Sequence, residues 1–353
     1  VIRRGTPVRQ WLLLGALLVA AMVVIGGITR LTGSGLSITE WNVLMGAFPP
    51  LSDQAWDLLF AKYRATPQYQ LVNAHFTLAE FKAIFWWEYL HRLLGRALGI
   101  VFLVPFIWCV GRGNIRRPEV PRFLAIFALG ALQGALGWFM VASGLVDVPR
   151  VSHVRLAAHL VTALTSYGLI VWTILDLSPA KPGDGVEGPR TLPVSLQRAV
   201  ALVMGLLVVQ IVYGAFVAGL KAGFLFNTWP LMGSGLIPPG MGTLSPVLAD
   251  PVQNPVTIQF LHRTIGVGLL AGAAWLAWAA RRAPAPVAQA SAWFGAMVLG
   301  QFLLGVAAIL WLPAHPVLLG ATHQAGALVV LTGALVLAHR MGRTLSGPRP
   351  AIA

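Results

Sequence analysis

Two stretches of the chain set its reading: "YLHRLLG" at 89–95 and "FLHRTIG" at 260–266. Each sets a histidine beside an arginine within an apolar run. Ionisable groups are costly in lipid, so two such pairs at matching places mark function. The composition identifies the solvent. Of 353 residues, 57% are hydrophobic and only 10% are charged, where a soluble domain carries about 25%. That apolar excess is too large for one soluble core.

Working outward, eight apolar runs reach the roughly 20 residues that a membrane span needs. They lie at 11–29, 83–110, 123–143, 153–177, 199–220, 256–280, 291–312 and 318–339. The first run lacks a small-residue cleavage site and reads as a retained span. The formal net charge is +14, but the basic residues sit in short gaps between apolar runs, which speaks against nucleic acid as a partner. Arg3, Arg4, Arg9, Arg112, Arg116, Arg117, Arg122, Lys181, Arg190, Arg198, Arg281, Arg282, Arg340, Arg343 and Arg349 fall on one side. The other side holds Arg30, Lys62, Arg64, Lys82, Arg150 and Lys221. The positive-inside rule then makes both termini cytoplasmic. The expected fold is an all-α membrane protein, with eight transmembrane helices as two pseudo-symmetric four-helix bundles.

The two bundles follow from an internal repeat. The halves are expected at 11–177 and 199–342, joined by a hydrophilic linker at 178–198. "GGITRLTGSGLSITEW" at 26–41 aligns without gaps to "GAFVAGLKAGFLFNTW" at 214–229, and "QGALGWF" at 133–139 weakly parallels "GQFLLGV" at 300–306. "RLAAHL" at 155–160 takes the place of "GATHQA" at 320–325. With four spans each, the halves insert the same way up. The long outer segments 30–82 and 221–255 are rich in Gly, Pro and aromatics, and are expected to fold over the outer face as lids.

Four histidines, His91, His159, His262 and His323, lie a few turns inside the even-numbered spans. At about 1.5 Å per residue they share a depth of roughly 7–14 Å below the outer boundary. One such histidine alone reads as a packing residue; four at matched positions of a repeat do not. Zinc would want three or four protein ligands, whereas haem iron needs only two axial nitrogens. Gly95, Gly99, Gly168, Gly266, Gly268 and Gly326 could let a macrocycle approach the backbone, or could simply pack helices closely. Arg92, Arg96, Arg155 and Arg263 are candidates to bind haem propionates, or could snorkel to lipid phosphate. His75 and His339 read as surface or interfacial, and His315 stands at a boundary beside Pro316. Cys109 is the single cysteine, which excludes an intrachain disulfide and a thiolate cluster.

The halves differ one turn before the first histidine of each pair. Glu88 precedes His91, and Gln259 precedes His262. A carboxylate there could accept protons from a substrate, which would make the first half catalytic and the second an electron-transfer site. The alternative is an interfacial carboxylate paired with Arg92 or Lys82. A di-haem b electron carrier or quinone oxidoreductase stays open on these residues, as does a transporter. A prenyltransferase is disfavoured because Asp53 and Asp57 are isolated.

The chain resembles the haem A synthase family in "GGITRLTGSGLSITEWN", "NAHFTLAEFKAIFWWEYLHRLLGR", "VSHVRLAAHL", "QFLHRTIG" and "ATHQAGA". The resemblance implies an inner-membrane oxidoreductase that converts haem O to haem A by successive hydroxylations of the C8 methyl, for terminal oxidase assembly. It implies that His91 and His159 face the iron of the substrate haem and that Glu88 is the catalytic carboxylate. It also implies that His262 and His323 ligate the iron of a haem b cofactor. The partners it implies are haem O synthase and an electron donor or acceptor, with self-association as a further option. Lacking paired outer-loop cysteines, the chain is similar to the proteobacterial and mitochondrial branch.

Overall fold

The computed structural model describes residues 5–40, 45–145, 149, 151–178 and 192–346. Most of the linker, at 179–191, lies outside the described residues, as do Arg3, Arg4, Trp41, Arg150 and Arg349. Eight helices are long and apolar enough to cross a membrane. They are α1 Gly5–Leu31, α2 Leu78–Gly111, α3 Val120–Gly144, α4 His153–Asp176, α5 Val194–Gly219, α6 Pro255–Ala279, α7 Ala285–Trp311 and α8 Pro316–Ser346. The chain is an all-helical, multi-pass membrane protein, with no strand among the described residues. Large apolar side chains such as Leu17, Ile100, Leu202 and Trp293 stand exposed along the helices. A belt of that kind is stable only against lipid.

Several helices run longer than the apolar runs. α2 begins five residues before the expected start because Thr77 and Glu80 cap it reciprocally. Thr77 N donates to Glu80 Oε2 at 2.7 Å, and Glu80 N donates to Thr77 Oγ1 at 3.4 Å. Polar caps satisfy the orphan N–H groups of the first turn, so a helix can continue beyond the apolar segment. α6 is capped likewise by Asn254, which accepts from Val256 N at 2.9 Å.

In the first half α1 packs on α2 and α4, and α3 packs on both α2 and α4. In the second half α5 packs on α6 and α8, and α7 packs on α6 and α8. Between halves the contacts are α1 with α8, α5 with α4, and α4 with α8. Each half has its own apolar core near the end where both termini lie. The first is built around Leu12, Phe123 and Ile170, and the second around Leu276, Phe294 and Leu337. The histidines sit toward the opposite, lid end.

The first outer segment carries two short helices, Asp53–Arg64 and Pro67–Leu71. They lay Trp56 and Tyr63 against Phe81 and Phe85 on the first turns of α2. Trp56 meets Phe85 edge-on at 4.8 Å between ring centroids, a favoured aromatic geometry. The second segment is pulled in by Asp250, which accepts from Gly242 N, Leu244 N, Asn254 Nδ2 and Thr257 Oγ1.

One expectation changes. His339 is buried, not interfacial: it pairs with Asp176 Oδ1 at 3.0 Å and meets Trp172 edge-on, tying α8 to α4. Arg30 is the last-turn residue of α1 and donates to Ala218 O at 2.7 Å, where the carbonyl end of α5 attracts a cation.

Candidate functional site

Each of the four histidines faces a glycine on a neighbouring helix. A Cβ added at Gly26 would stand 2.8 Å from His91 Nε2, and one at Gly137 3.5 Å from His159 Cε1. At Gly214 it would stand 3.2 Å from His262 Cε1, and at Gly305 3.1 Å from His323 Cε1. A side chain at most of these positions would crowd the ring; glycine leaves the space open. The four pairs join α1 to α2, α3 to α4, α5 to α6 and α7 to α8, so the same device recurs in each half.

In the second pair the two rings stand edge-on to one another. His262 and His323 hold their rings 6.5 Å apart between centroids, at an interplanar angle of 81°. Two imidazoles ligating one ion from opposite sides, at about 2 Å per metal–nitrogen bond, need a separation of this order. Among the described residues, no three of His, Cys, Asp or Glu converge. The other ligands of a metal ion held by such a pair would therefore come from outside these side chains. The unmet hydrogen-bonding groups agree: His159 Nδ1, His262 Nδ1 and the Nε and Nη1 groups of Arg263 are buried with no partner in the protein. Buried polar groups are nearly always paired, and a porphyrin bearing propionates would supply acceptors for Arg263. The residues present fit a haem.

The chain matches the profile of the COX15-CtaA family, described as cytochrome oxidase assembly protein, over residues 9–335. It belongs to that family. The protein called heme A synthase in Parvibaculum lavamentivorans is 44% identical over 333 residues, 94% of each chain. Its counterpart in Bradyrhizobium sp. (strain ORS 278) is 46% identical over 343 residues, 96% of this chain and 92% of that one. One from Rhodopseudomonas palustris (strain HaA2) is 47% identical over 342 residues, covering 96% and 91%.

In this member of the COX15-CtaA family the residues beside the histidines bind the lids. Glu88 is buried. Its Oε2 accepts from Ser37 Oγ at 2.7 Å and from Ile38 N at 2.8 Å, and its Oε1 accepts from Arg92 at 3.0 and 2.7 Å. Arg92 also donates to the carbonyls of Glu40 and Ile38, both at 2.8 Å. The second half repeats the plan at equivalent positions. Gln259 donates to Phe226 O at 3.1 Å, and Arg263 donates to Thr228 O and Leu231 O while lying 5.3 Å from the Trp229 ring centroid. Thus each helix grips its lid one turn from its histidine, by a carboxylate in the first half and a carboxamide in the second. Arg155 stacks on Phe139 at 3.9 Å and donates to its carbonyl at 3.3 Å. Arg96 lies one turn beyond Arg92, partly buried.

The glycines singled out from sequence serve neighbouring side chains. Gly95 faces Met22, Gly266 faces Gln210, Gly326 faces Gln301, Gly168 faces Leu335 and Gly268 faces Leu206, while nothing lies within 4 Å of a Cβ at Gly99. The cradle glycines Gly26, Gly137, Gly214 and Gly305 were missed. The signal was there: Gly26 and Gly214 open the aligned repeat. Sliding "QGALG" at 133–137 onto "QFLLG" at 301–305, one residue from the first register, pairs Gly137 with Gly305. His153 was missed as well. It reaches across the halves, with Nε2 2.7 Å from Val252 O. His75 and His315 are exposed.

Proposed function

We propose that the chain is a haem A synthase: an oxidoreductase that takes haem O and oxidises its C8 methyl, by successive hydroxylations and loss of water, to the formyl group of haem A. The product would serve terminal oxidase assembly, as the family description suggests. The observation that carries the reading is the repeated pair of imidazoles, each facing a glycine. The relatives' names supply the reaction.

In this reading the first half, 11–177, holds the substrate and the second, 199–342, a resident haem b. His91 and His159 face the substrate iron and fix the macrocycle, while His262 and His323 hold the cofactor. Haem b bound there would supply one-electron transfer. Arg263 offers its unmet Nε and Nη1 groups to a propionate; Arg96 and Arg155 would serve propionates at the other edges, whereas Arg92 gives its hydrogen bonds to Glu88 and the carbonyls of Ile38 and Glu40. Glu88, one helical turn from His91, is the carboxylate that takes the proton released at the methyl carbon as the electrons pass to an external electron acceptor. The lids, gripped from both helices, exclude water from the reacting carbon. The sites face the periplasm and both termini the cytoplasm of a cell inner membrane, because the basic gaps cluster at the termini end. Haem O synthase is the fitting membrane partner, since its product is this substrate.

Glu88→Gln is expected to retain haem and stop turnover, read as haem O accumulating and haem A missing from extracted membranes. Unchanged haem A output would refute the catalytic role. The four donors on Glu88 favour a second role, as the anchor of the first lid. Faster proteolysis of segment 32–77 in Glu88→Gln, with turnover lost in proportion, would assign it to that role. Haem b alone, recovered from the purified protein, would favour a di-haem electron carrier instead.

A further inference from the structure

The four imidazoles are not equally supported. In the second half each ring meets a carboxamide. Gln210 Nε2 on α5 stands 3.5 Å from His262 Nε2. Gln301 Nε2 on α7 stands 3.2 Å from His323 Nδ1 and donates to His323 O at 2.8 Å. In the first half, among the described residues, no hydrogen bond reaches the ring of His91 or of His159, and His159 Nδ1 is buried without a partner.

The repeat shows how the difference arises. Aligning α1 on α5 puts Met22 where Gln210 stands. Both pack against the equivalent glycine, each 3.3 Å from a Cβ at Gly95 or Gly266. A thioether is at most a weak acceptor, so His91 gains no comparable partner. Aligning α3 on α7 puts Gln133 where Gln301 stands, yet the Nε2 of Gln133 is buried with no partner. The halves differ at the position one turn past the histidine. A Cβ at Gly326 would overlap Gln301 Oε1, so glycine there is what admits the carboxamide. Three residues beyond His159, the matching position is Thr162, whose hydroxyl is turned back to Ala158 O at 2.8 Å.

We propose that Gln210 and Gln301, with the gap at Gly326, are positioning residues that make the second half the site of retained haem, and that their absence or blockage makes the first half the exchanging site. This rests on the haem reading above. A ligating imidazole is normally fixed in tautomer and orientation by a hydrogen bond to its other nitrogen, and loss of such a partner costs about 10- to 100-fold in affinity. The ring nitrogen that the iron leaves carries a proton and donates, so a carboxamide serves it by turning its oxygen to the ring; the Oε1 atoms of Gln210 and Gln301 are buried with no other partner in the protein. A substrate haem must enter and leave at every turnover, and rings without such partners suit that task.

The test uses the full chain purified in detergent, with haem b as the probe and excess apomyoglobin as the acceptor of released haem. Gln210→Met, Gln301→Leu and Gly326→Thr should each speed haem b loss by about tenfold or more and alter the low-spin electron paramagnetic resonance signal of the bis-imidazole iron. Met22→Gln and Thr162→Gly should do the reverse in the first half, slowing haem loss from it; a gain of retention cannot come from misfolding. Loss rates and spectra unchanged across all five variants, in a protein that does hold haem, would overturn the inference. A wild-type protein that takes up no haem would instead overturn the reading beneath it.

Discussion

At the scale of single residues, the lid anchors are the sharpest case. Glu88 and Arg92 form a buried ion pair whose members also bind Ser37, Ile38 and Glu40. Removing one partner of such a pair leaves an uncompensated buried charge, at about 3–5 kcal/mol. Gln259 is uncharged, so Arg263→Gln forfeits only hydrogen bonds to carbonyls, at about 1–3 kcal/mol. Arg92→Gln is therefore expected to loosen the first lid more than Arg263→Gln loosens the second. Limited proteolysis of segments 32–77 and 221–254 in the two variants measures the difference. Equal sensitivity would mean that the ion pair adds nothing beyond its hydrogen bonds.

At the scale of elements, the second lid depends on one carboxylate outside the membrane. Asp250 is buried, and its pKa is lowered to about 2, chiefly by the hydrogen bond from Thr257, then by Asn254 and the backbone N–H groups of Leu244 and Gly242. A carboxylate whose folded pKa is depressed lends stability that is fully present above its unfolded pKa, about 3.9. That stability is lost as pH falls through the folded pKa. The second lid should thus be held unchanged from pH 7 to about 4 and loosen between about 4 and 2. Asp250→Asn should loosen it already at pH 7 and remove the acid step. Hydrogen exchange of residues 240–254 reads both. An acid step that persists in Asp250→Asn would place the titration elsewhere.

At the scale of the whole molecule, the halves meet through α1 with α8, α5 with α4 and α4 with α8. Polar ties reinforce the seam: Gln324 donates to Val23 O at 2.6 Å, and the hydroxyls of Tyr167 and Thr332 lie 2.9 Å apart. Hydrogen bonds between helices in lipid contribute roughly 0.6 kcal/mol each, so packing along the helices must supply most of the cohesion. Halves co-expressed as separate chains divided within 178–198 should therefore co-purify and bind haem together. Tyr167→Phe should weaken their co-purification only slightly. Halves that separate in mild detergent would show that the linker, not the seam, keeps them together.

Sequence alone determined the eight helices, the repeat and the four histidines, because each is a matter of periodicity or of a costly group placed in lipid. It could not show which glycine faces which imidazole. That depends on how far neighbouring helices slide along one another, and a one-residue error between "QGALG" and "QFLLG" hides the match. Nor could it show that Glu88 and Arg92 spend hydrogen bonds on the lid, or that Gln301 lies against Gly326. Such facts turn on contacts of about 3 Å between helices far apart in the chain, and packing alone fixes distances that small.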